Sequence, residues 1–181
     1  MVRGLVAGLV LMLGACATVP ASGPASGPAG GPAVAPVANS GALIDRYDAA
    51  AIESVAKELG FAVVSRTGPE EDGGPNIRLS SAKGGEFGAF GVSCSGDGAA
   101  RKCDGIQFVA SFDAPADADE TAVYLDEVNA TFSVAKMVQL ENRLSLSRYL
   151  IMDSGISRGN LLVNLQIFEE VLGYVVEAFP G

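Results

Sequence analysis

The chain has 181 residues, 49% hydrophobic and 18% charged, a composition that folds and leaves room for one domain. It contains neither Trp nor His, so Ser–His–Asp and Cys–His catalysis are excluded and the commonest metal ligand is missing. With 12 basic and 21 acidic residues the net charge is −9; loss of Arg3 with a cleaved leader takes the basic count to 11 and the charge to −10. Such a surface repels phosphate backbones and anionic headgroups, which disfavours nucleic acid and requires a separate device for any membrane attachment.

Residues 1–15 begin with a short positive segment around Arg3 and continue as the apolar run Leu5–Leu13. That run has the length of a signal-peptide core and is too short to span a bilayer as a permanent helix. It ends in Leu13-Gly14-Ala15-Cys16, which resembles the lipobox of bacterial lipoproteins: an aliphatic residue, two small ones, then cysteine. The resemblance implies cleavage before Cys16, diacylglycerol on its sulfur and a further acyl chain on its new amine. Ala15-Cys16-Ala17 also fits an ordinary secretory cleavage site. Cysteine parity favours the lipid, because consuming Cys16 leaves Cys94 and Cys103 as an even pair for an oxidising compartment. Two or three acyl chains suffice for stable anchoring. Ala17 stands where Asp would signal inner-membrane retention, so the expected location is the outer membrane, facing the periplasm.

Residues 16–41 read as the lipidated cysteine followed by a tether. Pro20, Pro24, Pro28, Pro32 and Pro36 recur every fourth residue among Ala, Ser, Gly and Val. Proline at that spacing forbids helix and ladder alike, and the stretch has too little to bury to offset its conformational entropy. As a flexible coil it would reach roughly 25–30 Å. No Pro-x-x-Pro spacing occurs, so a spacer is expected rather than a proline-rich ligand.

Regular patterning begins near residue 42 and defines a domain over 42–181. Asp48 is placed to cap a helix with Ile52, Val55, Ala56 and Leu59 on its apolar face and Gly60 as its stop. Short β-prone runs follow at 61–65, 76–80 and 86–93, and clean alternation of Ile106, Phe108, Ala110 and Phe112 predicts a half-buried strand over 105–113. A second helix is predicted over about 119–132, with Val123, Val128 and Phe132 inward and acids in its first turn. Residues 136–140 and 143–152 flank Glu141-Asn142 as a hairpin with Leu144, Leu146 and Leu150 on one face. The last helix, about 158–179, carries a stripe of Leu161, Leu165, Phe168, Leu172, Val175 and Phe179. The sum is an α+β domain: an antiparallel sheet packed with an N-terminal, a middle and a long C-terminal helix.

This order of elements, with Leu59-Gly60-Phe61 closing the first helix, cysteines at 94 and 103 in the middle hairpin, Asn129, Asp153-Ser-Gly-Ile-Ser157, Asn160 and Phe168, resembles the YbjN family of small bacterial α+β proteins. Where that family often has an aromatic before the helix asparagine this chain has Val128, and where it often has paired glycines this chain has Ser154-Gly155. The resemblance implies a fold like the type III secretion chaperones, which bind polypeptides and commonly dimerise, and a provisional label of sensory transduction regulator. It brings no catalytic residues.

The remaining constellations point to structure rather than chemistry. Cys94 and Cys103 enclose eight residues, with neither the spacing of a redox CxxC nor the two further ligands a zinc site needs, so a structural disulfide is expected. Asp113, Asp117, Asp119 and Glu120 lack the glycine and closing glutamate of a calcium loop and read as a solvated helix start. Glu70, Glu71 and Asp72 lack apolar neighbours, and Gly84-Gly85 and Gly96-x-Gly98 lie between strands rather than before a helix. Lys57, Lys83, Lys102 and Lys136 fall on polar faces or in loops. No catalytic, cofactor or metal residues are assigned. The expected function is a non-enzymatic envelope module that binds a protein or peptide. The alternatives are a hydrolase or transferase working through carboxylates and hydroxyls such as Tyr149 or Ser157, and a purely structural envelope protein.

Overall fold

The computed structural model describes residues 41–178 apart from 70, 72, 73, 82 and 84. The leader, Cys16, the proline-bearing tether to residue 40, Glu70, Asp72, Gly84 and Phe179 lie outside the described residues.

Helix α1 spans Ala49–Glu58. Asp48 caps it, its carboxylate accepting from the backbone N–H of Ala50 and Ala51 at 2.8 and 3.1 Å. At the other end Gly60 takes φ 79°, its N–H reaches the Lys57 carbonyl and the Phe61 N–H reaches the Ala56 carbonyl. This paired closure uses up two orphan carbonyls and turns Phe61 into the core at 4% exposure.

Strands β1 (Ala62–Thr67), β2 (Asn76–Ser80), β3 (Glu86–Ser95), β4 (Lys102–Asp113), β5 (Lys136–Leu140) and β6 (Arg143–Ile151) form one antiparallel sheet in the order β1-β2-β3-β4-β6-β5. A register shift between Val63 and Ser65 breaks the edge strand β1. Strands β3 and β4 extend beyond the alternation in the sequence, because the ladder continues through Cys94↔Cys103 and Ser95↔Lys102. One face of the sheet, bearing Ile77, Leu79, Phe87, Ala89, Phe108 and Leu146 among others, is buried beneath the helices. Phe87 is the hub, its ring 5.9, 6.3 and 5.2 Å from those of Phe61, Phe108 and Phe168.

Helix α2 spans Ala118–Thr131 and buries Thr121 and Val128. The expected inward position of Val123 is corrected: it is 60% exposed. Five residues separate it from Val128, about 140° around a helix of 3.6 residues per turn, so the two cannot share a face. Phe132, as expected, packs inward, 5.0 Å from the Tyr174 ring. Helix α3 spans Arg158–Ala178 and buries Leu161, Leu165, Phe168, Leu172 and Val175, the predicted stripe as far as it is described. Before α1, Ile44 bridges Ile156, and the Tyr47 N–H donates to the Cys103 carbonyl at 2.8 Å, tying the start of the domain to the hairpin and to the turn before α3.

Candidate functional site

The sheet carries its core on the helix-covered side, which leaves the residues of the opposite face to be accounted for. Register places Phe90 beside Gln107 and Gln107 beside Tyr149, one row running across β3, β4 and β6. The Phe90 ring lies over Gly88, where an added Cβ would collide with it. The Tyr149 ring lies over Gly105, whose hypothetical Cβ would stand 2.6 Å from the hydroxyl. Glycine inside a strand is otherwise unfavourable; here it lets aromatic rings lie flat on the sheet. Tyr149 is 48% and Ile151 64% exposed, so the part of this face around Tyr149 is apolar and aromatic yet open, while Arg78, Glu86, Ser111 and Arg143 make the rest of it polar. Ser93, held at φ 55°, brings its hydroxyl within 2.9 Å of that of Tyr149.

That pair decides how the hydroxyls can act. Among the described residues neither Ser93 nor Tyr149 is hydrogen-bonded to a carboxylate or amine that could activate it, and Ser157 is engaged in accepting from the Asn160 N–H at 3.1 Å. Lys57 pairs with Glu53 at 2.7 Å, and Glu53 also meets Arg66. The acids 113–120 are divided between two structural tasks. Asp117 caps α2 by accepting from Asp119 and Glu120 N–H at 2.8 and 3.0 Å, and Asp113 faces Arg143 at 3.6 Å. Among the described residues no group of three or more His, Cys, Asp or Glu is arranged to hold a metal ion.

Cys94 and Cys103 are joined in a disulfide, their Cα atoms 3.9 Å apart across directly opposed ladder positions. Beside it lies a cleft of about 670 Å³ bounded by Tyr47, Arg66, Pro75, Arg101 and Cys103. Tyr47 is mostly buried there, its hydroxyl donating to the Ala89 carbonyl at 3.3 Å, and burial raises its pKa well above the tyrosine range.

Arg148 and Asn164 were not singled out from the sequence. On β6 Arg148 shares the helix-facing side with Leu144 and Leu146, donates Nε–H and Nη2–H to Asn164 Oδ1 at 3.0 and 2.5 Å, and also bonds the Val134 carbonyl. Asn164 in turn donates to the Asn160 carbonyl and Oδ1 at 2.8 and 3.0 Å. Desolvation lowers the Arg148 pKa, and amide oxygens rather than a carboxylate receive its charge. The available signal was an arginine at an apolar position of an alternating strand. Asn129 closes the other end: its side chain donates to the Met137 carbonyl and accepts from the Met137 N–H, both at 2.9 Å, occupying the outer edge of β5 as a neighbouring strand would.

Among the described residues, three helices on one face of a six-stranded antiparallel sheet make an α+β fold of two layers. Among solved structures it is similar to the crystal structure of YbjN from E. coli, provisionally described as a transcription regulator. The TM-score is 0.53 at 16% sequence identity, over 75% of this chain and 92% of that one. No protein-family model and no curated protein matches the chain. The likeness establishes a YbjN-like fold. The residues behind the resemblance are explained by structure: Gly60 and Phe61 close α1, Asn129 plugs an edge, Asn160 supports the Arg148 network and Phe168 fills the core.

Proposed function

We infer that this chain is a non-catalytic binding module of the cell envelope whose open sheet face, centred on Tyr149, holds a partner polypeptide. The observation that carries the reading is the patch itself: Tyr149 at 48% and Ile151 at 64% exposure, adjoining the Ser93 hydroxyl and the Gln107 amide. Tyrosine in such a setting contributes large contact area at low entropic cost. The β5 edge is occupied by Asn129 and the β1 edge is interrupted, which favours docking on the face over addition of a strand. A fold shared with a protein described as a regulator is consistent with a binding role.

The membrane attachment belongs to the same proposal: acylation of Cys16, with the tether letting the domain search the periplasm near an outer membrane. Cys16→Ser should move the protein into the soluble periplasmic fraction; retention at the membrane with unchanged mass would overturn the anchor. For the face, a photo-crosslinking amino acid at Tyr149 of the full chain should give one discrete polypeptide adduct in cells. Recovery of a second copy of this chain in that adduct would make the face a homodimer interface. Turnover of an esterase, phosphatase or glycosidase substrate abolished by one carboxylate substitution would replace binding with catalysis.

A further inference from the structure

Helices α2 and α3 carry the same pattern at the same spacing: Glu120-x3-Tyr124-x2-Glu127 and Glu170-x3-Tyr174-x2-Glu177. Steps of four and three put each trio on one helical stripe. The two stripes meet, because the Tyr174 hydroxyl donates to Glu127 at 2.5 Å across the helices, while the Tyr124 hydroxyl donates to Glu120 at 2.6 Å within α2. Next to this seam opens a cleft of about 690 Å³ whose partly exposed apolar lining is Phe112, Ala114 and Pro115, with Glu120, Tyr124 and Arg143 at its margin. Arg143 faces Asp113. Helix α2 holds four acids and no base, and the part of α3 after Arg158 holds three acids and no base. Helix electrostatics do not account for this. Acids favour an N-terminus, yet Asp126, Glu127 and Glu177 sit toward C-terminal ends, where the macrodipole opposes them. Val123, exposed on α2, stands one turn from both Asp119 and Asp126 and extends the same mixture of apolar and acidic groups outward.

Carboxylates interleaved with tyrosines beside an apolar cleft are complementary to cations carried on an apolar chain. We propose that the α2–α3 cleft docks a Lys/Arg-rich amphipathic segment of a partner polypeptide. An apolar side chain enters beside Phe112, Ala114 and Pro115, and the cationic groups meet Glu120 at the margin and, outside the cleft along the two helical stripes, Glu127, Glu170 and Glu177. The proposal rests on the polypeptide-binding reading but uses a different surface, so the two can fail separately.

The test uses the full-length chain in nonionic detergent and fluorescence anisotropy, with empty micelles as the blank. The probe is a labelled Lys/Leu peptide of about 14 residues with leucine at helical spacing, beside a twin with serine for leucine and a twin with glutamate for lysine. The Lys/Leu peptide should bind, the serine twin about ten-fold more weakly, and the glutamate twin not measurably. Glu120→Lys with Glu170→Lys should weaken the first peptide by about ten-fold or more, while Asp97→Lys with Asp104→Lys near the disulfide hairpin should leave it unchanged. Circular dichroism melts exclude unfolding as the cause. Equal loss in both charge-reversed pairs, or equal binding of the serine twin, would overturn the cleft. So would binding that appears only after residues 179–181 are removed, since the chain's own terminus would then be the occupant. If Tyr149→Ser with Ile151→Ser abolishes binding while the Glu variants do not, the cleft proposal falls and the sheet-face reading stands.

Discussion

Ser154 and Gly155 carry consecutive left-handed backbone, at φ 68° and 85°. Only glycine adopts that conformation without strain, so Gly155 suits the geometry and Ser154 holds it at a cost. Ser154→Gly should stabilise the domain by about 0.5–1 kcal/mol in urea unfolding, the relief of strain exceeding the added chain entropy. Gly155→Ala should cost roughly 2 kcal/mol or more, because its Cβ would also stand 2.7 Å from Leu43. At Asn129 the side chain satisfies both polar groups of one edge residue. Asn129→Ala should cost about 1–2 kcal/mol and speed amide exchange at Met137, whereas exchange at Phe108 in the sheet centre should keep its rank. Unchanged Met137 exchange would show that water substitutes for the amide.

The β3–β4 hairpin shows how one element depends on a covalent link. The bridge lies at opposed ladder positions near its end, beyond which residues 96–101 turn through Gly96 at φ 77° and Gly98 at φ 54°. Closing a loop of this length restricts the unfolded chain by roughly 2–3 kcal/mol. Cys94→Ser with Cys103→Ser should lower stability by about that amount while circular dichroism retains the sheet, since the ladder extends from Gly88 to Val92 independently of the bridge. The disulfide was legible in the sequence from parity and spacing. The strand ends were not: in residues 102–104 Cys103 alone is apolar, too little to mark a strand, and pairing with β3 keeps them extended. On α2 apolar character alone does not place Val123, because the helical angle turns it away from Val128 and into solvent. The buried turn is marked by Thr121, whose hydroxyl bonds the Asp117 carbonyl at 3.0 Å, so a polar residue holds a core position.

Across the whole molecule, Tyr47 joins the chain's entry into the domain to the centre of the sheet, 42 residues away at Ala89. Burial raises its pKa above the ordinary value of 10.0, because a phenolate there would be desolvated. The folded state therefore binds more protons than the unfolded state at alkaline pH. Stability from this group is fully present below about pH 10 and falls as pH rises toward the folded value. Tyr47→Phe should lose about 1 kcal/mol at pH 7, from the missing hydrogen bond, and show a shallower decline between about pH 10 and 12. Parallel declines for both proteins would mean that the phenol reaches water when it ionises. Tyr124 and Tyr174 are also raised, chiefly by donating to Glu120 and Glu127, so the Phe variant retains part of the slope.

The sequence by itself determined the α+β class, the approximate order of helices and strands, the core stripe of α3 and the cysteine pairing. These follow from local periodicity and composition, which hydrophobic burial reads almost directly. The expectation of an anchored, tethered domain also came from one local segment. Only the tertiary structure decided which residues face outward together. Phe90 and Tyr149 are 59 positions apart and become a surface through strand register and the glycines beneath them. Glu127 and Tyr174 meet because α2 and α3 both cover one face of the sheet. Arg148 and Asn164, 16 positions apart, become partners only because α3 packs over β6. Side-chain alternation fixes a face only relative to neighbouring residues; which face becomes core and which stays open is settled by where the helices pack.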